Sequence, residues 1–164
     1  VLSRHALKNQ NWAEASRYSE DLIRIDPNDI DAVRTLYLCM VVMRHHHRIG
    51  DAARRLVALA PNTIDSIEDH ALAFYNNEIY VMARAMYEAL TEISPDPANA
   101  YLHLGLCCAA LGDIEGTRAA FEAFLAHAPD DHPSIESVKS DLAALDEPAV
   151  PEALQREEIP GPLE

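Results

Sequence analysis

Apolar residues recur along this chain with helical spacing nearly from end to end, and no run of strict alternation marks a strand. The spacing itself repeats. Leu22, Leu56, Leu90 and Phe124 stand 34 residues apart, as do Ala15, Ile49, Ala83 and Thr117, and Ser19, Ala53, Tyr87 and Phe121. Leu36, His70 and Leu104 form a further column, and Met40, Phe74 and Cys108 another. Pro27, Pro61, Pro95 and Pro129 close each period. With the proline at position 32, the units are 1–29 (partial), 30–63, 64–97 and 98–131. Positions 4, 7, 8 and 11 make one stripe on a first helix, and positions 20, 24 and 27 make another on a second. Proline lacks an amide donor and disfavours helix at the residue before it, so it ends the second helix and turns the chain. Each unit reads as a helical hairpin that buries its apolar face only against its neighbours.

Unit 30–63 departs from the pattern. It carries bulky Tyr37 and Ile49 at positions 8 and 20, and Arg44 where unit 98–131 has Gly112. A slightly splayed hairpin is expected there, with its inter-helix turn near His45 to Gly50. After Pro129, the stretch Asp130-Asp131-His132-Pro133 starts a last helix over about 133–146. Ile135, Val138, Leu142 and Leu145 line one face of it, and Glu136, Lys139, Ser140 and Asp141 the other, as a solenoid cap requires. Residues 147–164 hold four of the ten prolines and read as an extended acidic tail. Val1 falls partway through a unit, so the chain reads as a fragment with at least half a repeat missing upstream.

Charge narrows the partners. The chain has 13 basic and 27 acidic residues, a net −14, and the last 24 residues carry −6 of it. Such a surface repels phosphate backbones and anionic lipid, which argues against nucleic acid. No apolar run approaches the roughly 18 residues of a membrane span, so no membrane insertion is expected. Cys39, Cys107 and Cys108 lack metal-type spacing and fall inside helical patterns; they read as buried reduced thiols and fit a reducing, cytoplasmic compartment.

Little of the chain looks catalytic. No glycine-rich phosphate loop, nucleophile elbow or Cys-His pair with a helper is present. Consecutive helical residues diverge, so His45-His46-His47 is not a facial metal site. His46 falls at position 17, with Trp12, Tyr80 and Ile114, and reads as a packing residue. His70 reads as a satisfied core histidine. The chain is expected not to be an enzyme and to need no cofactor or metal.

Tyr101-x-x-Leu104-Gly105 with Gly112, Phe121 and Pro129, and Ala83-x-x-x-Tyr87 with Pro95, resemble the signature of the tetratricopeptide repeat family. That resemblance covers about residues 1–131. It implies an all-α, right-handed α-solenoid domain over 1–146, ended by the capping helix, that binds proteins and does not catalyse. Family members line a concave groove through positions 2, 5, 9, 12 and 13. Carried over, these give Asp31, Arg34, Leu38, Val41 and Val42 from the first full unit and Asp65, Glu68, Leu72, Tyr75 and Asn76 from the second. The third gives Asn99, Leu102, Leu106, Ala109 and Ala110, and the partial unit Arg4, Leu7 and Lys8. The carboxylate clamp of chaperone-binding members would need lysine, asparagine and arginine where this chain has Arg34, Leu38, Asp69, Asn99 and His103, so most of it is absent. The leading expectation is a module holding a peptide or helix of a partner protein in an apolar groove. The alternatives are a homo-oligomeric assembly scaffold whose tail docks through Val150, Leu154 and Ile159, an accessory arm of a larger enzyme, or a secretion chaperone.

Overall fold

The computed structural model describes residues 11–146. The first helix of the partial unit and the tail lie outside them, with Arg4, Leu7, Lys8, Val150, Leu154 and Ile159. Eight α-helices occur among the described residues: α1 (Trp12–Ile25), α2 (Ile30–Met43), α3 (His46–Leu59), α4 (Ile64–Asn76), α5 (Tyr80–Ile93), α6 (Ala98–Ala110), α7 (Ile114–His127) and α8 (Ile135–Asp146). A short 3₁₀ turn, Pro61–Thr63, joins α3 to α4. The fold is all-α, with the helices packed pairwise as hairpins. None is long and apolar enough to cross a membrane.

The backbone repeats with the sequence. Helices α1, α3, α5 and α7 begin at position 17 and end at position 30, two residues before each proline. Each ends on one equivalent bond: Asp26 N to Leu22 O, Ala60 N to Leu56 O, Ser94 N to Leu90 O and Ala128 N to Phe124 O, at 2.8–2.9 Å. Asn11 and Asp113 cap α1 and α7 by accepting from the amides of Glu14 and Gly116, while His45 and Ile79 at the same position make no side-chain cap.

Turn position 15 shows how a unit without glycine holds its phase. Arg44, Glu78 and Gly112 all adopt left-handed backbone, with φ of 55°, 59° and 74°. The residues after them donate back to Met40, Phe74 and Cys108 at 2.9–3.0 Å, the closure of a Schellman turn. The turn of unit 30–63 therefore lies at Arg44 and His45, not over His45 to Gly50 as the sequence suggested; His46 to Gly50 already belong to α3. The closure needs one left-handed residue, and Arg44 supplies it at a cost that glycine avoids. Glu78→Gly is accordingly expected to raise the unfolding free energy by about 0.5–1 kcal/mol, after the entropy glycine adds to the unfolded chain. A urea midpoint that rises at unchanged slope would show it; a lower midpoint would refute it.

Packing follows the hairpins with one irregular junction. Helix α1 packs against α2 and α5 against α6, each a second helix on the next unit's first, but α3 makes its main inter-unit contact with α5. Gly50 permits that approach: a Cβ built on it would lie 3.2 Å from the Ala85 carbonyl oxygen and 3.7 Å from the Ala89 Cβ. Arg54 on α3 clamps Glu92 on α5 through two bonds of 2.6 and 2.9 Å. The irregularity falls at the unit with bulky position 8. Tyr37 is buried there and its hydroxyl shares a 2.9 Å hydrogen bond with His70 Nδ1 on α4, which gives His70 its partner. Volume is conserved across positions 8 and 24: Tyr37 goes with Ala53, Ala71 with Tyr87, and Gly105 with Phe121. One core cluster runs from α1 to α6, and a second, with Ala98, Phe121, Phe124 and Val138, joins α6, α7 and α8.

Candidate functional site

Helical periodicity turns one stripe of each first helix into the core and leaves another outside. On α2 and α4, Leu38, Val42 and Leu72 are on the outer stripe, 36%, 47% and 41% exposed. Val41 and Tyr75 are partly buried against the main cluster, and Leu102 and Leu106 against the second. Within the sequence-derived groove, the apolar surface left exposed is thus smaller than expected and lies on α2 and α4. Arg34 lies 3.5 Å from Asp31. Asn76 is exposed at the end of α4.

Three of the sequence-derived residues, Glu68, Leu72 and Asn99, come together at a cleft of about 310 Å³ between α4 and α6. Tyr87 and Leu90 of α5 contribute to its lining from behind, and Asp69, Ala100 and His103 complete it. His103 is held firmly. Its ring stacks on Tyr87 at 5.0 Å and meets Tyr75 edge-on at 5.7 Å, and Nδ1 donates to the Asn99 carbonyl at 2.9 Å. The Asn99 side chain is already engaged: His132 Nε2 donates to its Oδ1 at 3.3 Å, while His132 Nδ1 accepts from the Ser134 amide. Tyr87 and Leu90 were absent from the sequence-derived set because a first-helix rule does not reach the helix behind, and Ala100, on α6 itself, stands at position 3, which the rule does not use. Columns 24 and 27, whose large residues abut the gap between successive first helices, carried the only sequence signal for Tyr87 and Leu90.

The cleft is acidic without compensation. Asp65 sits in the first turn of α4, where the helix dipole favours a carboxylate. Glu68 and Asp69 lie about a turn further in and have no such support. Among the described residues, none of these three acids forms an ion pair with a cation. Loss of solvation in the cleft raises the Glu68 pKa first, and the charges of Asp65, Asp69 and Asp96 add to it, against an opposing hydrogen bond from Ser94. A carboxyl whose folded-state pKa is raised penalises the fold above that pKa and carries no penalty below the unfolded value of about 4.3. Glu68→Gln should therefore stabilise the protein at neutral pH, with the difference closing as pH falls through the carboxylate range. Thermal melts at pH 7 and pH 4 read this, and a Gln variant no more stable at pH 7 would contradict it.

A larger cleft of about 500 Å³ lies between α3 and α5, with His46, His47, Arg54 and Arg84 at its walls. Its arginines are already satisfied: Arg54 by Asp51 and Glu92, Arg84 by Glu88 and Asp113. The His46 and His47 rings rest on each other at 3.8 Å. Among the described residues, no three metal-ligating side chains converge.

No family model matches the chain, and no curated protein does. Solved structures of MamA align with it. One crystal structure of MamA covers 88% of this chain and 82% of its own at 14% identity, with a TM-score of 0.46. MamA 41-end from Desulfovibrio magneticus RS-1 covers 94% of this chain and 93% of its own at 19% identity, with a TM-score of 0.42. Alignments at such scores and identities add nothing to what the helices themselves show.

Proposed function

We propose that this chain is a non-catalytic interaction module of the tetratricopeptide type, which holds a segment of a partner protein along the face formed by its first helices. The observation that carries the reading is the exposed stripe Leu38, Val42 and Leu72 leading to the α4–α6 cleft. Exposed apolar surface rimmed by polar residues beside a cleft is a common mark of an interaction site. Helical-hairpin arrays work through such extended surfaces, and a segment laid across them is anchored by a few apolar side chains.

Leu38→Glu combined with Leu72→Glu tests this, because both side chains are exposed and their loss spares the core. Leu106 is less suitable, since it packs against the Phe121–Phe124 cluster. The double variant should keep its helical circular dichroism and cooperative unfolding while its affinity for a captured partner falls at least about tenfold. Partners captured equally by wild type and variant would sink the proposal.

A further inference from the structure

Building on that reading, we infer that the occupant of the α4–α6 cleft is a cationic amphipathic segment, placing an apolar side chain against Leu72 and a lysine or arginine against Glu68 and Asp69.

The argument starts from where the cations are. Helix α4 carries Asp65, Glu68 and Asp69 with no lysine or arginine, and α6 carries no Asp, Glu, Lys or Arg. Apart from Arg34 on α2, which lies 3.5 Å from Asp31, and Arg44 in the turn after it, the described arginines sit on the second helices, where most are paired. Arg48 pairs with Glu20, Arg54 with Asp51 and Glu92, Arg84 with Glu88 and Asp113, and Arg118 with Asp146. The second helices are thus largely compensated, while the α4–α6 part of the first-helix face is left negative. That negative charge borders the apolar cleft, and low-dielectric walls strengthen its field.

Size and charge then select the ligand. About 310 Å³ admits a side chain or two and not a whole helix, so the cleft anchors a segment that continues along Leu72 and Leu38. Like-charge juxtaposition rejects acidic segments. The chain's own residues 147–164 belong to that class, with Glu147, Glu152, Glu157, Glu158 and Glu164 against Arg156 alone. The cleft therefore discriminates against its own tail and in favour of a basic partner.

Panning a displayed library of short random peptides on the full chain at physiological ionic strength tests this, with synthetic 147–164 peptide as a separate probe. Peptides recovered on wild type should combine Lys or Arg with large apolar residues. Their affinity should fall at least about tenfold on Glu68→Gln/Asp69→Asn and stay unchanged on Glu115→Gln/Glu122→Gln, which removes equal charge from α7. An equal fall on both acid variants would reduce the effect to the net charge of the protein and overturn the inference. So would enrichment of uncharged or acidic peptides that need Leu72 but ignore Glu68 and Asp69, or binding of the tail peptide in the cleft; either leaves the groove reading standing. Recovered peptides indifferent to Leu38→Glu/Leu72→Glu as well, or no enrichment, would remove both.

Discussion

Gly105→Ala is expected to destabilise the protein by about 2 kcal/mol, although alanine is the better helix former. A Cβ built on Gly105 lies 2.3 and 2.4 Å from Cδ1 and Cε1 of Phe121, far inside contact distance. The ring has nowhere to go: Phe121 is 2% exposed and wedged in the cluster with Phe124 and Val138. Alanine gains about 1 kcal/mol of helix propensity over glycine. Overpacking a tight core costs about 1–3 kcal/mol, and a clash this close falls at the top of that range or beyond it, so the clash wins. Shortening the opposing side chain should give much of it back, and Gly105→Ala with Phe121→Leu is predicted to be more stable than the sum of the single changes. Urea unfolding of the four proteins settles the matter. A Gly105→Ala variant as stable as wild type would show that the ring yields freely, and that the size exchange across positions 8 and 24 has no energetic content.

Native-state thiol labelling should be strongly suppressed relative to a free cysteine. Cys39, Cys107 and Cys108 are all buried. Burial pushes the Cys107 thiol from the ordinary 9.0 up to about 12 and Cys39 to about 11, and it raises Cys108 as well. The thiolate is the reactive form, and a rise of that size at Cys107 lowers its thiolate population about a thousandfold at neutral pH, which the greater nucleophilicity of a more basic thiolate offsets only in part. A disulfide reagent at pH 7.5 should label none of the three in the folded protein and all three in denaturant. Labelling of any one at the free-thiol rate would refute this. Linkage gives a second reading: the raised thiol pKa values leave stability intact below about pH 8.5, and lower it above that as the unfolded chain's thiols ionise first. Gly105→Ala should label faster in proportion to its larger unfolded population, which ties the two experiments together.

The sequence by itself determined the period and the phase. Helix starts at Trp12, His46, Tyr80 and Ile114 share one position of the 34-residue frame because side-chain facing is a local matter of 3.6-residue spacing, and the prolines end each second helix through their own backbone. The candidate site was legible in part through the family resemblance, whose groove positions, carried over onto α2 and α4, include Leu38, Val42, Glu68 and Leu72. Tertiary structure decided the rest. Arg44 and Glu78 accept left-handed backbone because the Schellman closure and the packing of both flanking helices outweigh a local preference of about 1–2 kcal/mol. The switch at which α3 meets α5 depends on Tyr37, Ala53, Gly50, Ala85 and Ala89 together, a sum of volumes that no single column displays. The cleft itself exists only once α4 and α6 stand apart with α5 behind them. Its depth, its unpaired acids and the burial of Tyr75, Leu102 and Leu106 follow from how the hairpins stack, and stacking is settled by packing between units.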